Sequence, residues 1–152
     1  MPRTTNGTNL DAFLDMIAVS EGTAHLGDAG YNVVVGGTLF DGYEDHPRRL
    51  VHIREGLSST AAGRYQLLKR YFDHYKALLA LPDFSPESQD KIAIQQIREF
   101  KGLPLIEAGL FEQAVAKLAP LWASLPGAGY GQHENRIGKL IAAYKDAGGT
   151  IA

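Results

Sequence analysis

Hydrophobic residues near the start of the chain recur at the spacing of an α-helix. On a helix of 3.6 residues per turn one face carries Leu10, Phe13, Leu14 and Ile17. Thr8 or Asn9 can cap this helix at its beginning. Gly22 is placed to end it, just after Glu21. The polar residues 1–8 are expected to form a loose tail.

The next thirty residues lose the helical period and contain short runs of β-branched and aromatic residues. Residues 31–35 and 38–40 flank Gly36-Gly37, which is typical of two strands joined by a tight turn. Residues 50–53 indicate a third short strand. The pattern therefore predicts a small antiparallel sheet between helices.

From Thr60 onward the helical period returns. An apolar stripe is formed by Tyr65, Leu68, Phe72, Tyr75 and Leu79. The later pattern predicts a helix from Ser85-Pro86 to about residue 104, a short helix over 110–118, a glycine-rich loop over 125–131 and a final helix from about Glu134 to residue 148. With no repeat or linker, residues 1–152 are predicted to form one α+β domain, mostly helical.

Composition and charge narrow the class of protein. The chain has 152 residues, no cysteine and a formal net charge of −2, so disulfides and thiolate metal sites are excluded and a nucleic acid is not an expected partner. No apolar run reaches the roughly 18 residues that span a bilayer. Residues 1–9 contain no apolar signal-peptide core. We expect synthesis in the cytoplasm without a signal peptide, and no stable association with a membrane.

Glu21 is the candidate for acid–base chemistry. It continues the apolar stripe of Leu10, Leu14 and Ile17, so its carboxylate should be partly desolvated. It also lies in the last helical turn, where the helix dipole repels negative charge. Both effects raise the pKa of the carboxyl group, and a carboxylic acid still protonated near neutral pH can protonate a glycosidic oxygen. The alternative is that Glu21 points into solvent as the helix ends.

A second carboxylate is normally required in a glycosidase. Four acidic residues near the predicted sheet are candidates, namely Asp28, Asp41, Glu44 and Asp45. None has a distinguishing spacing, and each is expected by default in a turn or at the surface.

Other kinds of site find little support in the sequence. The five histidines are His25, His46, His52, His74 and His133. They lack the spacing of zinc sites, so we expect no metal and no cofactor. There is no nucleophile elbow for a catalytic serine. The glycines of loop 127–131 either let backbone approach a ligand or simply connect two helices. Tyr130 among them favours a ligand contact, because an aromatic ring can pack on a sugar face.

Several stretches, taken in order, resemble one known family. They are residues 13–16, 20–23 (Ser-Glu-Gly-Thr), 30–40, 45–51, 59–68 (with Gly-Arg-Tyr-Gln at 63–66), 83–90 and 122–132. From about residue 10 to residue 150 the chain resembles the phage lambda endolysin family of lytic transglycosylases.

The resemblance implies a lysozyme-like α+β fold with a cleft between a helical lobe and a sheet-bearing lobe. It implies that the glutamate of Ser-Glu-Gly-Thr, here Glu21, is the catalytic acid and base. The residues expected to contact substrate are Gln66, Tyr65 and Tyr130, followed by Ser124 and Gln132. The family pattern places them around the same cleft.

The resemblance also implies a reaction and a cellular setting. The expected substrate is the glycan strand of peptidoglycan, cut between N-acetylmuramic acid and N-acetylglucosamine with formation of a 1,6-anhydro end. The enzyme is expected to act in the periplasm as a monomer, after release by a membrane-opening partner (a holin). Two alternatives stay open. One is a hydrolytic muramidase, with Asp28 or Asp41 as the second carboxylate, and the other is a non-catalytic wall-binding or virion protein.

Overall fold

The computed structural model describes all 152 residues and consists of six α-helices, one 3₁₀ turn and one β-hairpin. In chain order the elements are α1 (Thr8–Ser20), β1 (Val51–Arg54), β2 (Leu57–Ser59), α2 (Lys69–Leu78), α3 (Pro86–Glu99), α4 (Leu103–Glu107), α5 (Phe111–Leu118), the 3₁₀ turn Ala119–Leu121 and α6 (Ile137–Asp146). No helix combines the length and the apolar character needed to cross a membrane.

Two hydrophobic clusters define two lobes. The larger contains 20 buried residues and surrounds α1, whose side chains from Leu10 to Ala18 are almost all buried. The smaller contains nine and lies under the segment that carries the hairpin. Helix α3 joins the lobes, because its Ile92 packs in the smaller cluster and its Ile97 in the larger. The predicted α+β architecture, mostly helical with a small antiparallel sheet, is confirmed.

The sheet differs from the prediction in position. Strands β1 and β2 pair antiparallel with Val51 opposite Ser59, so the predicted strand at 50–53 is confirmed and its partner was missed. Residues 31–35 and 38–40 make only isolated bridges, such as Val33 with Leu39. Backbone hydrogen bonds explain this, because the N–H groups of Tyr31 and Val33 donate to carbonyls three residues back and hold the chain in turns.

The helix boundaries follow local capping where caps exist. Ser85 caps α3 by accepting from Ser88 N–H at 3.3 Å, with Pro86 in the first turn as predicted. Helix α1 begins after Gly7 without a side-chain cap. Helix α2 begins only at Lys69, since residues 60–68 form a turn that the apolar stripe had suggested to be helical.

The first residues of the chain are ordered against the body, which contradicts the predicted loose tail. Asp90 on α3 is fully buried and accepts hydrogen bonds from the backbone N–H groups of Arg3 at 2.8 Å and Thr4 at 3.0 Å. The same carboxylate accepts from the hydroxyls of Tyr31 at 2.8 Å and Tyr65 at 2.7 Å. A buried carboxylate needs such donors, and the N-terminal segment supplies two of them from its backbone.

Candidate active site

The end of α1 places Glu21 and then turns the chain away. Glu21 N–H still donates to Ile17 O at 2.8 Å, so its side chain leaves from the last helical turn. Gly22 follows with φ +78°, a left-handed conformation that favours glycine and ends the helix. Thr23 then anchors the segment, because its hydroxyl donates to Arg64 O at 2.6 Å. This bond ties the glutamate to the turn at 63–66.

The Glu21 carboxyl group is largely buried, and only one of its two oxygens is hydrogen-bonded. Burial raises its pKa from 4.5 to about 7, and a hydrogen bond from the Ser124 hydroxyl to Oε2 at 2.5 Å opposes this rise. Oε1 makes no hydrogen bond. Because every buried side-chain nitrogen and oxygen has a partner, Oε1 must be reachable by solvent. Glu21 is therefore an acid near neutral pH with one oxygen available to a ligand.

Behind Glu21 lies a chain of three polar side chains. Ser124 Oγ is 2.7 Å from Ser20 Oγ, and Asn135 Nδ2 donates to Ser20 Oγ at 3.1 Å and to Ser20 O at 2.9 Å. Ser124 was predicted as a weaker substrate contact, and its hydroxyl is instead bonded to Glu21 and Ser20. Ser20 and Asn135 were not singled out from the sequence. Ser20 is signalled only by its position beside Glu21, and Asn135 has no local signal at all.

The turn at 63–66 positions Gln66 and buries Tyr65. Gln66 has φ +53°, an uncommon conformation for a residue with a side chain. Its Nε2 donates to Gly63 O at 2.9 Å and to Val33 O at 3.3 Å, which leaves Oε1 unbonded and accessible. Gln66 thus offers an acceptor to a ligand.

Tyr65 requires a correction to its predicted role. Only 5% of the residue is exposed, its ring belongs to the larger hydrophobic cluster and its hydroxyl donates to Asp90. Arg64 Nη1 also donates to that hydroxyl at 3.0 Å. Neither ring nor hydroxyl is left to contact a substrate, so Tyr65 supports the turn from the core.

The glycine-rich loop 127–131 is fixed by a carboxylate. Glu134 accepts from Gly127 N–H at 3.0 Å through one oxygen and from Gly129 N–H at 3.1 Å through the other. These two backbone bonds lower the pKa of Glu134. The final helix was predicted to begin at Glu134, and it begins three residues later because Glu134 is used to hold the loop.

Tyr130 and Gln132 lie on this loop at the surface. Tyr130 is 55% exposed and its hydroxyl donates to Pro120 O at 2.6 Å, so its position is fixed while much of the ring remains open. Gln132 is exposed and makes no hydrogen bond within the protein. Arg54 at the end of β1 donates to Gly131 O at 3.2 Å, which brings the hairpin to the loop.

The other candidate carboxylates are either bonded to other side chains or exposed at the surface. Asp28 forms an ion pair with Arg3 and accepts from the Tyr43 hydroxyl at 2.7 Å. Asp45 is paired with Arg48 at 2.7 Å, and Asp41 and Glu44 lie at the surface. None of the four is hydrogen-bonded to Glu21 or to its partners.

The histidines do not gather at a metal site. No three His, Cys, Asp or Glu side chains are grouped as metal ligands. His46 is buried and uses both ring nitrogens, since Nε2 donates to Leu67 O and Nδ1 accepts from Arg48 N–H, each at 2.9 Å.

Comparisons with known proteins assign the chain to a family. The family model described as Endolysin matches residues 11–151. The chain belongs to the endolysin family. It is 54% identical to the endolysin of Escherichia phage lambda over 92% of this chain and 91% of that protein, and 48% identical to the endolysin of Escherichia phage P2 over the full length of both.

Solved structures support the same assignment. The structure of this endolysin matches bacteriophage lambda lysozyme complexed with a chitohexasaccharide with a TM-score of 0.95 at 51% identity, over 98% of this chain and 99% of that chain. A second structure of lysozyme from bacteriophage lambda matches with a TM-score of 0.90 at 50% identity. The predicted family and the lysozyme-like fold are confirmed, and the chain is a lysozyme-type endolysin, an enzyme that cleaves glycosidic bonds of the cell wall.

Proposed function

We propose that this endolysin is a lytic transglycosylase that cuts the β-1,4 bond between N-acetylmuramic acid and N-acetylglucosamine in peptidoglycan. Glu21 is the single catalytic acid and base. The observation that carries this proposal is the Glu21 carboxyl group itself, whose pKa of about 7 and accessible Oε1 suit a group that gives and then takes a proton near neutral pH.

The reaction balances without water. Protonated Glu21 gives its proton to the oxygen between the two sugars, the bond from C1 of the muramic acid to that oxygen breaks, and N-acetylglucosamine leaves as an alcohol. The Glu21 carboxylate then takes the proton of the C6 hydroxyl of the same muramic acid, and O6 bonds to C1. Glu21 is again protonated, and the nucleophile was part of the substrate throughout.

Transglycosylation is favoured over hydrolysis by the surroundings of the other carboxylates. A hydrolytic muramidase would require a second carboxylate to activate water. Asp28, one of the two residues expected to serve, has its oxygens engaged by Arg3 and Tyr43. Asp41, the other, is exposed and makes no hydrogen bond that would hold it towards Glu21. Glu21 with Ser124 is a complete acid–base unit without either.

Two accessible side chains that the sequence predicted as substrate contacts keep groups free for a sugar chain. Gln66 presents an unbonded Oε1, and Tyr130 presents a partly exposed ring that is held by Pro120. We propose these two residues as substrate contacts, with Gln132 on the same loop. The lambda lysozyme complex, which contains a chitohexasaccharide, supports an oligosaccharide of this kind as the ligand.

The products released from purified peptidoglycan test the reaction. We expect fragments one water lighter than hydrolysis products and resistant to borohydride reduction, measured by mass spectrometry. Reducible muramic acid ends would overturn transglycosylation in favour of hydrolysis, and Asp28→Asn and Asp41→Asn would then be compared. Absence of fragments from folded protein would support a wall-binding protein instead.

The Glu21→Gln variant tests the catalytic residue. General acid–base catalysis contributes roughly 10²- to 10⁴-fold to a rate, and we expect a loss of that size in clearing of a peptidoglycan suspension. Glu112→Gln is the matched control, because Glu112 is an exposed glutamate on α5 with no side-chain partner. Wild-type activity in Glu21→Gln would rule out its catalytic role.

We further propose that the endolysin acts in the periplasm as a monomer and requires a holin for release. Sedimentation at micromolar concentration should give the mass of a single chain. Expression in a host without a holin should leave the cells intact until the inner membrane is permeabilised. Lysis without permeabilisation would contradict this route.

A further inference from the structure

Ser20 and Asn135 are buried behind Glu21 and cannot contact a substrate. They belong to the chain of hydrogen bonds that ends at the Glu21 carboxyl group. Ser20 is 7% exposed and Asn135 is 6% exposed. The orientation of the Asn135 amide is fixed from both sides. Its Nδ2 faces Ser20 O, which can only accept, and its Oδ1 faces the Lys139 ammonium at 3.2 Å, which can only donate.

Because the Asn135 amide has a fixed orientation, it determines which atom donates in each hydrogen bond between Asn135 and Glu21. Asn135 Nδ2 can only donate to Ser20 Oγ, so the Ser20 hydroxyl proton is turned to Ser124 Oγ. Ser124 Oγ thereby receives a hydrogen bond, and its own proton is turned to Glu21 Oε2. All the hydrogen bonds therefore point in one direction, from the Asn135 amide to the Glu21 carboxyl group.

We propose that Ser20 and Asn135 are positioning residues that keep Ser124 donating to Glu21 Oε2, so that the catalytic proton of Glu21 is carried by Oε1. This inference rests on the proposed function, since it describes how the acid of that reaction is oriented. A proton on Oε2 would meet the Ser124 hydroxyl proton. Oε1 is the oxygen that solvent, and hence a ligand, can reach.

The same arrangement serves both halves of the reaction. When Glu21 has lost its proton, Ser124 still donates to Oε2 and stabilises the negative charge. No hydroxyl has to turn between the two states. Such a preorganised donor assists catalysis because it requires no rearrangement when the charge changes.

Titration of Glu21 in the free protein is the primary test. The carboxyl carbon of Glu21 is followed by ¹³C NMR as the pH is changed, in wild type and in Ser20→Ala. Without the Ser20 proton, the Ser124 hydroxyl is no longer held towards the carboxylate. We expect the pKa of Glu21 to rise by roughly 0.5 to 1, the equivalent of one weakened hydrogen bond.

Ser88→Ala is the matched control for loss of a buried serine. Ser88 is 3% exposed, and its hydroxyl donates to Asp83 and accepts from Ser85, both just before α3 and outside the chain of polar side chains behind Glu21. It should leave the pKa of Glu21 unchanged. If Ser20→Ala behaves like this control, the positioning role is refuted. Should Ser20→Ala fail to fold, Asn135→Ala provides the same test, because it removes the donor that orients the Ser20 hydroxyl.

The pH dependence of lysis separates this inference from the proposed function. In Ser20→Ala we expect kcat to fall roughly 3- to 10-fold with KM unchanged, and the alkaline limb of the profile to move up with the pKa of Glu21. A shifted titration together with an active Glu21→Gln variant would uphold the hydrogen-bond chain and overturn the proposed function. If the titration in Ser20→Ala is unshifted and Glu21→Gln is inactive, the hydrogen-bond chain is overturned and the proposed function is upheld.

Discussion

At the scale of single residues, Glu21 illustrates opposing effects on one carboxyl group. Burial disfavours the charged form and outweighs the hydrogen bond from Ser124, which favours it, and the pKa settles at about 7. The position at the C-terminal end of α1 acts in the same direction as burial. A group with this pKa is present in both forms at neutral pH, which suits acid–base catalysis but costs folding free energy once it ionises.

Glu21→Gln should therefore stabilise the protein at alkaline pH. The folded pKa of about 7 lies above the unfolded value of 4.5, so the contribution of Glu21 to stability is fully present below pH 4.5 and is lost as the pH rises through 7. At pH 8 the loss amounts to roughly 3 kcal/mol, and the variant should recover much of it. Urea unfolding at pH 4 and pH 8 measures this. If the free energies of unfolding of wild type and variant differ by the same amount at both pH values, the raised pKa of Glu21 is contradicted.

His46 should give the opposite pH dependence. Burial disfavours the charged ring and lowers the pKa of His46 below 6.5, although the hydrogen bond to Leu67 O opposes this effect. Its contribution to stability is thus complete above pH 6.5 and declines as the pH falls below it. His46→Gln, which keeps a donor for Leu67 O but does not titrate, should flatten this decline in thermal unfolding. An unchanged slope between pH 6.5 and pH 5 would show that His46 is not responsible.

At the scale of elements, the glycine-rich loop 127–131 is ordered without regular secondary structure. Glu134 holds its backbone, and the hydroxyl of Tyr130 ties it to the 3₁₀ turn. Arg54 connects it to the hairpin. Loops that carry binding residues are effective when a rigid scaffold fixes them, and here the scaffold is made of single side chains.

Glu134→Gln should weaken substrate binding. The glutamine nitrogen cannot accept from a glycine N–H, so one of the two bonds is lost and the loop carrying Tyr130 is less well fixed. We expect KM for soluble peptidoglycan fragments to rise several-fold, with kcat changed by less than about 2-fold. Steady-state kinetics beside the Glu112→Gln control would check this. A fall in kcat at constant KM would instead place Glu134 in the chemistry.

At the scale of the whole molecule, Asp90 connects parts that are distant in sequence. Its carboxylate accepts from the N-terminal segment, from Tyr31 and from Tyr65, and it stands on the helix that joins the two lobes. A buried charge that is fully bonded tolerates the loss of donors poorly, because those remaining must compensate for desolvation. The N-terminal segment is therefore part of the fold.

Deletion of residues 2–6 should destabilise the protein by at least about 2 kcal/mol, because Asp90 would lose the donors of Arg3 and Thr4. Chemical denaturation of the full-length and shortened chains measures the difference. Thr4→Val keeps both backbone donors to Asp90 and removes the bonds of the Thr4 hydroxyl, to Asp90 at 3.2 Å and from Asn6 Nδ2 at 2.6 Å, so it should have a smaller effect. Equal stability of the shortened and full-length chains would restore the interpretation of a loose tail.

Local sequence rules were sufficient where the interactions are local. The apolar stripe of α1 identified Glu21 as the polar residue at its end, and Gly22 was recognised as the stop. The cap of α3 at Ser85 was also predicted from the sequence. In each case the partners lie within one or two helical turns, so spacing alone brings them together.

Tertiary structure alone decided what surrounds the glutamate. Ser124 is 103 residues from Glu21 and Asn135 is 115 residues from Ser20. Tyr65 was predicted to contact substrate, but the residue is buried and its hydroxyl donates to the buried carboxylate of Asp90. Sequence determined helix α1 and the position of the acid at its end, because helical periodicity is local. Its pKa and partners depended on how distant segments pack, since desolvation and hydrogen bonding arise only in the folded chain.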